Sequence, residues 1–307
     1  MSTTGSWDTK DVRPSNKPQE VTTKNITFAK PYSIPPQLPL GLNSLDINKD
    51  GGISVIAKAE NITKEGFTGS LNSWASTALH SAGASWLELS RSYYEYQTGE
   101  FNTEDDHPWD KPQLKTSRRI NLDRLYFEPP KVIVFLKKLD MDKNKNWRVI
   151  TRVSDIDATR KGFTIHIDTW GDSILYRATA GWIAYPGDRP YIFSGTANTQ
   201  DVRPSNKPQL LNSKEIGFGG VQFWRTLSIF LALYSLDFDH TANLRVNAWA
   251  GNVTPTGLTW HLDQCSEPSR GPTGTAGMTP RRRDGTRQDG TTSRRPVQGK
   301  GPRELRG

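Results

Sequence analysis

The chain has 307 residues, one cysteine and a formal net charge of +8 that is concentrated towards the C-terminus. Residues 264–307 hold 10 of the 40 Lys and Arg residues but only 4 of the 32 Asp and Glu residues, so the first 263 residues carry a net charge of only +2. A nearly neutral folded part gives no reason to expect nucleic acid or an anionic membrane as its partner.

The sequence lacks a long apolar run, a secretory signal and a pair of cysteines, and these three features bear on where the protein is expected to be found. No apolar run approaches the roughly 18–20 residues that a membrane span needs. Residues 1–11 lack the basic and apolar segments of a secretory signal. The single cysteine, Cys265, excludes an internal disulfide. We therefore expect a chain without a membrane span that is cytoplasmic, or is secreted without a signal peptide.

A nine-residue word is repeated along the chain. DVRPSNKPQ occurs at residues 11–19 and, unchanged, at residues 201–209, and an altered copy, DDHPWDKPQ, occupies residues 105–113. The copies begin roughly 95 residues apart, and a fixed period indicates a structural unit that has been copied. A unit of this size can bury its own core. The spacing predicts three domains, and their boundaries are residues 1–97, 98–193 and 194–263, followed by a basic low-complexity tail at residues 264–307.

The second copy shows the predicted elements most clearly. Strands are predicted at residues 131–139, 147–153, 163–170 and 181–185, with a turn at residues 140–146. Within residues 163–170 the alternation places Phe163, Ile165 and Ile167 on one face and Trp170 on the other. Short alternating runs separated by turn residues predict an antiparallel β-sandwich, and no segment has a sustained helical period. The expected fold is therefore all-β, with three tandem sandwiches.

The third copy is incomplete. It lacks the last strand, and core residues such as Trp249 and Trp260 are expected to be partly uncovered. The abrupt change to an Arg, Gly, Thr and Pro-rich composition after residue 263 is typical of a reading-frame change. If the tail is genuine, a solvated disordered segment is the simplest interpretation of its composition.

Motifs for metal binding and catalysis are weak. Residues 46–53 match the first eight positions of an EF-hand loop, but Ala57 stands where the twelfth ligand should be Glu, so a hairpin turn is favoured and no calcium is expected. His166 and Asp168 share a strand face but are too few for a metal site. No nucleophile elbow, phosphate loop or dinucleotide turn occurs. We therefore expect no metal, no cofactor and no enzymatic activity.

Two tryptophans are candidates for binding. Trp74 and Trp170 end equivalent strands on the face opposite the core, next to polar loops. Trp86 and Trp182, in contrast, have apolar neighbours and are predicted to lie in the core. An outward indole can stack on the apolar face of a sugar ring, or it can pack against a neighbouring domain. The pattern alone leaves both alternatives open.

The ordered words of the copies resemble the H-type lectin domain family, the class of the snail agglutinins and discoidins. The words are NITFAKPYSIPP, LGLNSLDIN and GFTGSLNSW in copy one, KVIVFLKKLDMD and GFTIHIDTW in copy two, and IFLALYSLDFD and GLTWHLD in copy three. The resemblance implies a six-stranded antiparallel sandwich that assembles as a trimer. It also implies sites between neighbouring protomers that bind galactose-type sugars, commonly N-acetylgalactosamine, without a metal.

The resemblance also implies which residues bind sugar. The family pattern has an acidic or amide residue in the N-terminal loop, an Arg in the hairpin, a Trp, and a Tyr six positions beyond it. Copy two matches with Asp110, Arg148, Trp170 and Tyr176, although Gly171 follows the Trp where the snail agglutinin has histidine. Copy one matches with Asn16, Trp74 and His80, but Ser54 replaces the Arg, so the loss of a charge-assisted contact is expected. Copy three retains Asn206 and Arg245, and Cys265 replaces the Trp.

These matches predict a weakly binding, multivalent lectin for glycans or glycoproteins on cell surfaces, with agglutination as the expected result of multivalency. Three linked units suggest a pseudo-trimer within one chain, and a trimer of chains is the other possibility. Two alternatives remain at this stage. One is a structural or protein-interaction array whose sugar sites have decayed. The other is binding of polyanions through the basic tail.

Overall fold

The computed structural model describes residues 3–92, 94–156, 161–189, 191–224 and 227–264. All of them belong to one compact unit, Met1–Gly271. The tail beyond Gln264, with Cys265 and the suggested frame change, lies outside the described residues. We use copy one, copy two and copy three for residues 1–97, 98–193 and 194–263.

The described residues form sixteen β-strands and no α-helix, which confirms the predicted fold class. Copy one contains β1 (Thr3–Asp8), β2 (Val21–Thr27), β3 (Leu40–Ile47), β4 (Ile53–Glu60), β5 (Gly66–Ser73) and β6 (Leu79–Glu88). Copy two contains β7 (Gln97–Asn102), β8 (Lys115–Asn121), β9 (Pro130–Met141), β10 (Trp147–Ser154), β11 (Gly162–Asp168) and β12 (Leu175–Pro186). Copy three contains β13 (Leu211–Gly217), β14 (Ser235–Phe238), β15 (Leu244–Thr254) and β16 (Gly257–Asp263). No helix in the described part of the chain is long and apolar enough to cross a membrane.

Every sheet is shared by two copies. The sheet orders are β1-β6-β3-β15-β16-β13, β2-β5-β4-β9-β12-β7 and β14-β10-β11-β8. Copy one therefore contributes one layer of its sandwich to a sheet with copy three and the other layer to a sheet with copy two. Antiparallel pairs β4–β9, β10–β14 and β15–β3 join the copies in a closed ring.

The three joining pairs have equivalent registers. Ile53 is opposite Met141, Trp147 is opposite Phe238, and Leu244 is opposite Ile47. Without a neighbour, these strands would expose unpaired N–H and C=O groups at a sheet edge. Pairing between copies satisfies these groups, so the same hydrogen bonds that complete each sheet also assemble the ring.

The core continues across all three copies. Leu42, Leu136 and Leu233 occupy equivalent positions and are buried. The N–H of Leu233 donates to the carbonyl of Leu42 at 2.7 Å, and the N–H of Leu136 donates to the carbonyl of Leu233 at 2.7 Å. Because apolar side chains from every copy belong to one hydrophobic cluster, the copies do not bury separate cores.

The inward positions predicted within the second copy are confirmed. Phe163, Ile165 and Ile167 are fully buried, and Trp182 packs edge-on against Phe163 with ring centroids 5.4 Å apart. The equivalent pair in copy one, Phe67 and Trp86, has the same edge-on geometry at 5.2 Å. The closing strand, however, begins at Leu175 rather than at residue 181.

Copy three has four strands among its described residues, whereas copies one and two have six each. In copies one and two, β1 and β7 pair with the closing strands β6 and β12. The counterpart of these closing strands would fall beyond residue 264, and residues 191–198 form no strand in the described structure. The expectation that Trp260 is partly uncovered was wrong, because its side chain is buried. The core position expected for Trp249 was also wrong, because its half-buried ring stacks on His261, with ring centroids 3.7 Å apart, and does not belong to the hydrophobic core cluster.

The repeated nine-residue word anchors a loop to each sandwich. In copy one the buried Arg13 donates from Nε to Thr22 Oγ1 at 3.0 Å, and from Nη2 and Nη1 to the carbonyls of Leu79 and His80 at 2.8 and 3.0 Å. In copy three the equivalent Arg203 donates from Nε to Asn212 at 2.9 Å and is only half-buried. In copy one the loop is thereby held against the start of the closing strand, β6.

Three equivalent glycines test how closely the first strand of a copy packs against the tryptophan of its closing strand. A Cβ at Gly99 would lie 2.6 Å from Cζ2 of Trp182, and a Cβ at Gly5 would lie still closer to Trp86, whereas a Cβ at Gly195 would meet nothing within 4 Å. We expect Gly5→Ala and Gly99→Ala each to lower the free energy of unfolding by about 1–3 kcal/mol through overpacking. Chemical denaturation measures the change, and Gly195→Ala is the matched control. Equal effects at all three positions would contradict this packing.

The two arginines of the repeated word provide a second test. Arg13→Ala leaves two carbonyls and a buried hydroxyl without their donor, so we expect a loss of about 2–3 kcal/mol in the free energy of unfolding. Arg203→Ala removes a half-exposed side chain and should cost less than about 1 kcal/mol. Denaturation of the two variants side by side gives the comparison. A smaller effect at Arg13 than at Arg203 would show that burial does not determine the contribution.

Candidate functional site

An aspartate lies at the same position of each joining strand pair, and its partner across the pair is Arg or Ser. We name the contact between copies one and two the first interface, that between copies two and three the second, and that between copies three and one the third. The three pairs are Ser54 Oγ with Asp140 Oδ1 at 3.1 Å, Arg148 Nε with Asp237 Oδ1 at 3.1 Å, and Arg245 Nε with Asp46 Oδ1 at 3.2 Å.

The second interface holds its guanidinium between two carboxylates. Arg148 donates from Nε to Asp237 and from Nη1 to Asp172 Oδ1 at 2.6 Å. Desolvation opposes ionisation of Asp172, but the bond from Arg148 lowers the pKa of its carboxyl. Trp170 lies two residues beyond the end of β11 and is 37% exposed. This interface therefore contains a guanidinium fixed by two carboxylates, and an accessible indole belongs to the same loop as Asp172.

Gly171 explains how Arg148 reaches this position. Its φ is +67°, a left-handed conformation that favours glycine, and a Cβ there would lie 2.7 Å from Arg148 Nη1. Ala75 holds the equivalent position in copy one, also with a positive φ of 55°. A histidine at position 171, as in the snail agglutinin pattern, would require Arg148 to move. The glycine is therefore a structural requirement of this arginine position.

The first interface contains a different set of contacts around Asp140. Ser54 donates to one carboxylate oxygen. The other accepts from Arg177 Nε at 2.6 Å and from Trp74 Nε1 at 3.3 Å. The Arg177 guanidinium also lies over the Trp74 ring, 5.4 Å from its centroid. Trp74, from copy one, is therefore half-buried against residues of copy two, as the packing alternative for this indole required.

A second group of polar and aromatic residues extends the first interface. The Tyr176 hydroxyl donates to Asp142 Oδ2 at 2.6 Å. This hydrogen bond, together with desolvation, raises the pKa of Tyr176 to about 12, so the phenol remains a hydrogen-bond donor at neutral pH. The Trp109 ring lies edge-on to Tyr176 at 6.2 Å and is 53% exposed. Asp110 follows Trp109 and is exposed.

The third interface has fewer of the expected groups. Arg245 is bound to Asp46 beside an open depression that Lys49, Asn243 and Gln264 also line. The His80 ring lies 3.3 Å from the carbonyl of Ser15, next to the exposed Asn16. Cys265, the counterpart of the outward tryptophans, lies outside the described residues.

The residues assigned to copy two are divided between two interfaces. Asp110 and Tyr176 lie on the side that faces copy one, whereas Arg148 and Trp170 lie on the side that faces copy three. Asn206 is exposed on the loop of copy three, and the contacts of the described residues do not join it to Arg148. The division follows from the fold, since the two layers of each sandwich join different neighbours.

Two residues of the first interface, Trp109 and Arg177, did not emerge as candidates from the sequence. A signal was available: the other copies have Ser15 and Ser205 at the position of Trp109, and copy one has Ser81 at the position of Arg177. Within the described residues, no group of three or more His, Cys, Asp and Glu side chains gathers as a metal ion would require. The described contacts at these interfaces are ion pairs, hydrogen bonds and aromatic contacts.

Comparison with known proteins agrees with the three-copy organisation. The family model of the H-type lectin domain matches residues 23–87, 117–185 and 213–270, one segment in each copy. Comparison with curated proteins gave no significant match. Because the matched segments cover more than half of the chain and the described residues form three sheets of antiparallel strands, the chain belongs to the H-type lectin domain family, whose domains bind carbohydrate.

Proposed function

We propose that this protein is a non-catalytic lectin that binds galactose-type glycans, including N-acetylgalactosamine, at the interfaces between its copies. One observation carries the proposal. At the second interface, Arg148 is fixed between Asp172 and Asp237, and its Nη1 lies against Gly171, the residue that follows the exposed Trp170. These are the three kinds of group that a sugar ring can use simultaneously.

The chemistry of a sugar suits this arrangement. Each hydroxyl both donates and accepts hydrogen bonds, so a carboxylate can accept from it while a guanidinium donates to it. The apolar face of the ring can pack on an indole. Because Arg148 is already bonded to two carboxylates, little of its side-chain entropy remains to be lost when a ligand binds.

The charge of the sites favours neutral sugars over acidic ones. Asp172 and Asp237 surround the guanidinium of the second interface, and Asp140 and Asp142 lie at the first. A sulfated or carboxylated glycan would be repelled by these carboxylates. The ion pairs that the carboxylates form with the arginines also neutralise the positive charge that would otherwise attract an anionic glycan. Neutral galactose-type glycans are therefore the proposed ligands.

Weak single sites can produce useful binding when several act together. A shallow site for one sugar binds with a dissociation constant on the order of 0.1–1 mM. Sites held on one chain raise the apparent affinity by ~10²–10⁴ through effective concentration, provided that the target presents several sugars. Glycoproteins on cell surfaces meet this condition, and agglutination of cells is the expected result when one molecule contacts two surfaces.

A glycan array tests the proposed function directly. We expect the wild-type protein to bind neutral galactose and N-acetylgalactosamine glycans, and Arg148→Ala to lose at least tenfold in signal, since one charge-assisted hydrogen bond contributes about 1.5–3 kcal/mol. Arg152→Ala is the matched control, because Arg152 lies on the same strand, β10, but pairs with Asp168 away from the interface. A folded wild-type protein that binds no glycan on the array would refute the proposal. Equal losses of signal in Arg148→Ala and Arg152→Ala would show that Arg148 has no specific role in binding.

Closure of the ring within one chain leads to a proposal about assembly. We propose that one chain provides the three interfaces that separate protomers provide in the family trimer. In the pairs β4–β9, β10–β14 and β15–β3, each copy contributes one strand to each of its two neighbours. Light scattering should give the mass of a single chain, 34.4 kDa. A stable species of three chains would contradict this proposal.

A further inference from the structure

We propose that Arg177 supplies the guanidinium of the first interface, in place of the arginine that is absent at Ser54, and that this interface is therefore a working site for neutral galactose-type glycans. The inference rests on the proposed function and adds a binding residue to it. From the sequence, copy one was expected to have lost this contact. The structure places a guanidinium on Asp140 from the opposite strand.

The exchange is visible in the order of residues across neighbouring strands. At the first interface, Ser54 on β4 and Arg177 on β12 are both opposite Asp140 on β9. At the third interface, Arg245 on β15 and Ser81 on β6 are both opposite Asp46 on β3. The two rows contain the same three residue types in reversed order. Each aspartate thus has one Arg and one Ser as its cross-strand neighbours.

Arg177 is bound in the same way as Arg148. Both arginines donate from Nε to the aspartate of the joining strand pair, and both direct Nη1 to a second carboxylate, Glu104 at 3.5 Å for Arg177 and Asp172 at 2.6 Å for Arg148. Their side chains are 28% and 23% exposed. No hydrogen bond in the described part of the chain uses Nη2 of either arginine, so this donor is not already committed to a protein acceptor there.

The surroundings of Arg177 contain the other groups that a sugar site needs. Trp74 of copy one lies under the guanidinium, and Tyr176 precedes Arg177 on copy two. The Tyr176 hydroxyl is fixed on Asp142, two residues beyond Asp140 along the same strand direction. Residues of both copies therefore converge on the first interface, and the site is complete only because the copies are joined.

Glu104 fixes the position of Arg177 from the loop side. Lys138 Nζ donates to Glu104 Oε2 at 2.8 Å, and this bond, against an opposing effect of desolvation, lowers the pKa of the Glu104 carboxyl. Glu104 therefore remains ionised at neutral pH and attracts the guanidinium. Copies one and three have Lys10 and Gln200 at this position, so the anionic support for Arg177 occurs only in copy two, as does Arg177 itself.

The test isolates the first interface in the full-length chain. Arg148→Ala and Arg245→Ala together remove the guanidinium groups of the other two interfaces. We expect this double variant to lose binding at those two interfaces and to keep, in calorimetry, the one equivalent of galactose or N-acetylgalactosamine bound at the first interface. Addition of Arg177→Ser should weaken that remaining binding at least tenfold. Further addition of Ser54→Arg recreates the Arg-Asp-Ser order of the third interface. It should restore affinity to within about threefold of the double variant, at 1.4 kcal/mol per tenfold change.

The outcomes separate the inference from the proposed function. If the wild-type chain binds no glycan, the proposed function fails first. The inference is overturned if the wild-type chain binds glycan but the folded double variant does not. It is also overturned if Arg177→Ser leaves the affinity of the double variant unchanged, and the role of Arg177 would then be limited to its structural contact with Asp140. Arg152→Ser in the same background controls for the loss of any surface arginine.

A second measurement covers variants that do not fold. Circular dichroism and thermal denaturation establish folding for each variant. If the double variant unfolds, crystals of the wild-type chain soaked in N-acetylgalactosamine decide the question. A sugar hydroxyl within hydrogen-bond distance of Arg177 supports the inference, and sugar bound at the second interface with an empty first interface overturns it.

Discussion

Backbone hydrogen bonding between copies is the interaction on which the rest of the structure depends. It joins β4 to β9, β10 to β14 and β15 to β3, and so combines the layers of the three copies into three shared sheets that form a closed ring. The same register brings side chains from different copies next to each other. Arg245 and Asp46, for example, are 199 residues apart in sequence and form a charged pair at 3.2 Å. The pairing of strands between copies therefore determines the shared core, the assembly of the ring and the composition of the candidate sites.

Much of the fold could be predicted from local patterns. Strict alternation predicted the buried face of β11, and apolar neighbours predicted the core positions of Trp86 and Trp182. Trp249 was placed wrongly because the sequence around it, NAWAGN, has small or apolar residues on both faces and gives no clear alternation. Its face is determined by the pairing of β15 with β3 and with β16, in which Val246 lies opposite Leu45 and Ala248 lies opposite Leu262, and both Val246 and Ala248 are buried.

The candidate site was less accessible to sequence reasoning, because the sites lie between copies. The sequence supplied residue types, but it did not show that Tyr176 and Trp170, six positions apart, serve different interfaces. That division requires knowing which layer of a sandwich joins which neighbour. Arg177 was overlooked for a related reason. Matching to a family pattern compares one position at a time, whereas a guanidinium can approach Asp140 from the strand on either side.

The reversed order at two interfaces shows what a single chain permits. In a ring of identical chains, a serine at the position of Ser54 would remove the guanidinium from every interface together. Within one chain each interface carries its own residues, so one can change alone. An aspartate that is partly removed from water is stabilised by a cationic partner, since an uncompensated charge is costly there. The side chains of Asp140 and Asp46 are 12% and 27% exposed. The cationic partner of Asp46 is Arg245 and that of Asp140 is Arg177. The number of guanidinium groups on these two aspartates is thus constrained by electrostatics, while the side from which each approaches is free to vary.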